Sequence, residues 1–183
     1  MPSFIFIRVN ASSQSGIGHL SRSHSLAVSL RTFGIECYFI IDQESELCKK
    51  YLVDFNCMFL YQSNELFTNE IEDANRFKGL LNGFKIQGII VDDYRLSSEW
   101  EKQFINIKCP LVVIDDRDEV DHNCDMLIDA KWTGDSTFLR YHSKTPKRCI
   151  RLLGPKYILM SYEYEKIKIL LDNDLKLKNN LNL

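Results

Sequence analysis

The residue types best able to do chemistry gather in one short segment, where Gly16, Gly18, His19 and Arg22 follow an apolar run. Glycine has no Cβ, so such a loop lets the backbone approach a ligand closely. A helix beginning behind it aims free N–H groups and a positive dipole end at negative charge. His19 would stand in the first turn of that helix, where the dipole disfavours imidazolium and helps keep the ring neutral. A neutral imidazole at a ligand-binding rim can take a proton from water. The alternative is a half-buried ring that only caps the loop.

Two acidic pairs each end a short apolar run: Asp92-Asp93, followed by Tyr94, and Asp115-Asp116. They read either as helix caps and loop-binding carboxylates or as polar groups on a binding rim. Asp92-Asp93 superficially resembles the acidic pocket of response regulators, but such a pocket opens at the first strand of a domain. A dinucleotide fingerprint is incomplete, because the glycine needed at position 21 is Ser21. Asp42 nonetheless stands about where a ribose-binding acid would fall, some 20 residues on. His24, His122 and His142 lack a comparable context and read as surface or packing residues. No two histidines have metal-ligand spacing. The six cysteines (Cys37, Cys48, Cys57, Cys109, Cys124, Cys149) include no C-x-x-C pair and read as buried or idle thiols. Neither a metal nor a cofactor is expected.

The elements that must position these groups alternate in type. Apolar runs predict strands over Phe4–Val9, Ile35–Ile41, Cys57–Tyr61, Ile86–Val91, Leu111–Ile114, Met126–Ile128 and Arg148–Leu153. Helical spacing predicts helices over Gly18–Phe33, Glu44–Val53, Glu65–Leu81, Ser97–Phe104 and Tyr162–Leu171, with Gly34 and Asn82-Gly83 as stops. Strands alternating with helices imply right-handed crossovers, hence an α/β, Rossmann-like parallel sheet with helices on both faces. In such sheets ligands bind beyond the carboxyl ends of the strands, the rim that would carry the glycine loop and both acidic pairs. The polar stretch 172–183 reads as a fraying tail.

Composition narrows the class. The 183 residues are 45% hydrophobic and 26% charged, enough to bury a core. With 23 Lys and Arg against 25 Asp and Glu, the net charge of −2 excludes a strongly basic nucleic-acid binder. No apolar run reaches the ~18 residues of a membrane span, and the N-terminal MPSFIFIRVN lacks the basic region and cleavage site of a signal peptide. A cytoplasmic protein that binds neither nucleic acid nor membrane is the expectation.

Ser13-Gln14-Ser15-Gly16-Ile17-Gly18-His19-Leu20-Ser21-Arg22 closely resembles the G-x-G-H-x-x-R loop of the UDP-2,4-diacetamido-2,4,6-trideoxy-β-L-altropyranose hydrolases of pseudaminic acid biosynthesis, which are similar in fold to GT-B glycosyltransferases of the MurG type. Val91-Asp92-Asp93-Tyr94 resembles their strand-end I-D-H-Y. Val113-Ile114-Asp115-Asp116 with His122-Asn123-Cys124-Asp125 resembles their I-D-D…H-x-C-D stretch, and Leu153-Gly154-Pro155-Lys156-Tyr157 their G-P-K-Y segment. The likeness covers about residues 4–165, and it departs at Asn10, Asp93, Arg95 and Ser161, where Asp, His, Gly and Arg are usual.

The resemblance implies that His19 is the general base that activates water, and that Gly16, Gly18, Arg22, Asp92 and Tyr94 form the substrate site. Water would attack the anomeric carbon and release UDP with inversion and without a metal. It also implies a division into a Rossmann-like catalytic domain over 1–160 and a connecting helix with frayed tail over 161–183. On that plan the chain is the N-terminal half of a GT-B architecture, a monomer whose second domain is absent, and it would bind UDP-sugars poorly alone. A reading from another class is a remnant or nucleotide-sugar binding module that keeps the fold without turnover.

Overall fold

The computed structural model describes residues 3–11, 17–160 and 164. Among them, seven strands form one all-parallel sheet: β1 (Ser3–Val9), β2 (Glu36–Ile41), β3 (Asn56–Phe59), β4 (Lys85–Asp92), β5 (Leu111–Ile114), β6 (Met126–Asp129) and β7 (Ile150–Leu153). Their order is β3-β2-β1-β4-β5-β6-β7. The expected α/β, Rossmann-like architecture is the one observed, and the order reverses between β1 and β4, which pair from Ser3↔Lys85 to Val9↔Asp92. That reversal opens a crevice at the carboxyl rim.

Helices cover both faces because the strands are apolar on both. Ile7 and Val9 of β1 pack with Leu20 and Ala27 of α1 (Gly18–Thr32) and Cys48 of α2 (Glu46–Tyr51). Phe6 belongs to the opposite layer, with Ala74 and Phe77 of α3 (Glu70–Leu80) and Trp100 of α4 (Ser98–Glu101), which a 3₁₀ turn extends to Phe104. Phe77, Trp100 and Phe104 meet ring to ring at 4.2–5.5 Å. Burying one such ring is worth about 1.5–3 kcal/mol.

Local chemistry sets the helix ends. α1 stops in a Schellman arrangement: Gly34 N–H donates to the Arg31 carbonyl, Ile35 N–H donates to Leu30, and Gly34 adopts φ +74°. α3 begins at Glu70 rather than Glu65 because the Asn69 side chain accepts from Glu72 N and caps the helix there. Glu65 is left to pair with Arg76. α2 is likewise shortened at its start by the Ser45 cap. The expected helix over Tyr162–Leu171 (Tyr164 apart), the tail 172–183 and Gly16 lie outside the described residues. No helix among the described residues is long and apolar enough to cross a membrane.

Candidate functional site

The first turns of α1 meet the end of β4 at the reversal point. His19, Arg22 and Ser23 stand at i, i+3 and i+4 of α1, so they share one face. All three converge on Asp92, which is 0% exposed. His19 Nδ1 lies 2.5 Å from Asp92 Oδ1. Arg22 donates from Nε to Oδ2 at 2.8 Å and from Nη2 to Oδ1 at 2.5 Å, and Ser23 Oγ donates to Oδ2 at 2.9 Å. Arg22 Nη2 is also 3.2 Å from His19 Nδ1. A carboxylate only accepts, so the 2.5 Å approach assigns the proton to Nδ1 and leaves Nε2 as the ring's acceptor. This is the tautomer a base needs when it takes a proton through Nε2.

A second carboxylate completes the frame. Asp116 accepts from Tyr94 OH at 2.5 Å and from Arg22 Nη1 at 3.1 Å. Burial and the bond to Asp116 hold the Tyr94 phenol up at about 12, so it stays protonated and donating. Its ring sits edge-on to His19, with centroids 4.3 Å apart, and the Arg117 guanidinium lies 4.9 Å from the Tyr94 ring centroid. Burial opposes the Arg22 charge, but hydrogen bonding and attraction to Asp92 outweigh it and raise its pKa. Gly18 opens α1 on an exposed position, and a Cβ built there would meet nothing within 4 Å.

Each acidic pair divides between the two sides of the sheet, as alternating side chains must. Asp93 turns away from His19 toward the opposite layer, where Arg95 Nη2 donates to it at 2.6 Å and Arg8 Nη2 lies 3.6 Å away. Arg8, fully buried on β1, also binds Asp73 at 2.7 Å and Asp42 at 2.6 Å. Asp73 accepts from Tyr61 OH and Trp100 Nε1 as well. Asp42 pairs with both Arg8 and Arg95, which pull its pKa down against the cost of burial. The position that spacing offered to a ribose is thus committed to two arginines.

Asp115 braces the turn that presents Asp116. It accepts from Arg117 N, Asp118 N and Tyr141 OH, and stands 3.5 Å from His122 Nε2. Burial works against its ionisation, but these bonds hold its pKa at about 2. His122 corrects an expectation. Rather than an ordinary surface or packing residue, it is a buried bridge, with Nδ1 2.7 Å from Glu101 Oε1. Burial alone would lower its pKa, yet the bonds to Asp115 and Glu101 raise it to about 9. His24 lies edge-on to Phe55 and Tyr51, and His142 lies 3.3 Å from Arg151.

Of the residues expected at the site, the structure gathers His19, Arg22, Asp92, Tyr94 and Gly18. Asp92, expected as a substrate contact, is instead wholly buried behind His19 and positions it. Arg22 is held between two carboxylates. Ser23 and Asp116, neither of them among the expected substrate residues, complete the frame. Ser23 was discernible only from its spacing to His19. A groove of about 340 Å³, lined in part by Arg22, Asp116, Lys131 and Tyr157, adjoins the cluster and falls in the size range of small-molecule sites. Among the described residues, no group of three or more His, Cys, Asp and Glu side chains is arranged to hold a metal ion.

No family model matches the chain. An uncharacterized protein of Methanocaldococcus jannaschii is 23% identical over 166 residues, which cover 90% of this chain and 32% of that protein. The chain spans about a third of the length of the curated relative it matches.

Proposed function

We propose that this domain is the catalytic part of a cytoplasmic UDP-sugar hydrolase acting on UDP-2,4-diacetamido-2,4,6-trideoxy-β-L-altropyranose or a close relative. The observation that carries the reading is the 2.5 Å contact between His19 Nδ1 and Asp92 at the reversal point of the sheet. Asp92 holds the ring and its tautomer, and Nε2 takes a proton from water as the water attacks the anomeric carbon. The bond from that carbon to the diphosphate oxygen breaks on the opposite face, and UDP leaves with its electron pair. Tyr94, beside the imidazole, contacts the sugar. The free N–H groups at the start of α1 favour the leaving diphosphate. Nucleotide contacts from a second domain complete the cleft and supply the positioning that makes water attack effectively intramolecular.

The test is UDP release from that sugar by the chain joined to a second domain of the resembled family. General bases contribute about 10²–10⁴-fold, so His19→Asn lowers turnover by that order while UDP affinity stays nearly unchanged. Turnover within about threefold of the parent refutes the role. UDP-sugar binding without turnover in either protein favours the non-catalytic binding module.

A further inference from the structure

Two of the six cysteines face each other, away from the His19 cluster. Cys124 lies just before β6 and Cys149 just before β7. The pairing of Met126 with Ile150, and the bond from Ile150 N to the Asp125 carbonyl, bring the two segments side by side. The sulfurs are 3.6 Å apart, thiol against thiol. A disulfide needs a separation of about 2.05 Å, so the two sulfurs must close by roughly 1.5 Å, within reach of side-chain rotation on strands already in register. Cys149 is 8% exposed and Cys124 0%. The surroundings also differentiate them. The hydrogen bond from Cys124 lowers the Cys149 pKa against the cost of burial, and Thr145 and Arg151 add to the effect. Cys124, whose hydrogen is shared with Cys149, is raised by that bond and by burial. Cys57 and Cys109 are more exposed, yet burial of their sulfurs pushes Cys57 up to about 11 and Cys109 above its ordinary value.

We propose that Cys124 and Cys149 are a peroxide-responsive dithiol, in which Cys149 is oxidised first and Cys124 then closes an intramolecular disulfide. The Cys149 thiolate attacks one oxygen of hydrogen peroxide, the O–O bond breaks, and a sulfenic acid and hydroxide result. The Cys124 sulfur then attacks the Cys149 sulfur and expels the sulfenic oxygen as water. In sum, two thiols and one peroxide give one disulfide and two waters, with the sulfurs oxidised and the peroxide reduced. Thiol reductants reverse the bond by exchange. The bond would fasten a segment that already braces the site. Tyr141 donates to Asp115, Lys144 binds the Asp118 carbonyl, and the Lys144 carbonyl accepts from His122 N. These contacts hold the turn that offers Asp116 to Arg22 and Tyr94.

The experiment treats the reduced full chain with increasing hydrogen peroxide, alkylates the remaining thiols in denaturant, and maps the cysteines by peptide mass. A Cys124–Cys149 cross-linked peptide, removed by dithiothreitol, is expected while Cys57 and Cys109 still alkylate fully. The bond from Cys124 favours the Cys149 thiolate while burial disfavours that of Cys57, so the bridge should form at peroxide concentrations that leave alkylation of Cys57 undiminished. In Cys124→Ser, whose hydroxyl keeps a donor toward Cys149, the Cys149 sulfenic acid has no partner thiol and is trapped by dimedone. If that variant folds poorly, the wild-type map still decides. Oxidation first at Cys57 or Cys109, a Cys48–Cys57 bridge in place of Cys124–Cys149, or Cys149 sulfinic acid without a bridge overturns the proposal.

Discussion

His19 Nδ1 and Asp92 Oδ1 lie 2.5 Å apart, across 73 residues of chain, and join the first turn of α1 to the end of β4. An Asp92→Asn amide can present N–H to the imidazole and so reverse its tautomer, placing the proton on the nitrogen that should accept. For the proposed hydrolysis, kcat should fall about 10²–10⁴-fold with KM little changed. The ¹⁵N resonances of His19 give an independent readout: protonated Nδ1 in the parent, lost in the variant. Unchanged ring resonances would show that Asp92 does not set the tautomer.

Arg22 joins Asp92 to Asp116 through a planar fork that a lysine cannot reproduce. Arg22→Lys keeps the charge but leaves at least one carboxylate oxygen without its donor. Urea unfolding should show a loss of about 1–3 kcal/mol. A midpoint equal to the parent's would mean that the fork is dispensable for the frame.

His122 ties stability to pH. Its folded pKa of about 9 lies above the ordinary 6.5, so its contribution is fully present below pH 6.5 and is lost as pH rises through about 9. The full effect is about 3 kcal/mol, with a slope near 1.4 kcal/mol per pH unit inside that window. His122→Asn should be less stable at neutral pH and should flatten this slope. Equal slopes in parent and variant would assign the pH dependence to other groups.

Arg8 is a buried cation facing Asp73, Asp42 and Asp93. Removing one partner of such a cluster strands a buried charge. Arg8→Met should therefore cost about 3–5 kcal/mol. Adding Asp73→Asn removes one stranded carboxylate, so the double variant should be more stable than the sum of the single changes predicts. Strict additivity would show that Arg8 and Asp73 are not energetically coupled.

Gly34 holds φ +74° with open space where a Cβ would go, so Gly34→Ala tests the backbone alone. A loss of about 1–2 kcal/mol is expected in thermal unfolding, because an L side chain disfavours that conformation.

What the sequence determined by itself is what short-range physics decides. Apolar runs of strand length, helical spacing, the Gly34 stop and the crossover rule lead to the parallel α/β sheet, and they put His19 and both acidic pairs at one rim. Even locally, apolar spacing overruns the helix where a cap intervenes: at Asn69 it continues back through Leu66 and Phe67, while the side-chain hydrogen bond to Glu72 N starts the helix later. Partnerships were a different matter. That Asp92 serves His19 while Asp93 serves Arg8 and Arg95, that His122 bridges Glu101 and Asp115, and that Cys124 meets Cys149 all depend on which elements become neighbours. His19 and Asp92 stand 73 residues apart, His122 and Glu101 21, and Cys124 and Cys149 25, and the sheet order brings such residues together, as with β1 beside β4 and β6 beside β7. A residue's type limits the bonds it can make. Only packing decides which donor reaches which acceptor, and the cost of leaving a buried charge unpaired is what holds the chosen set together.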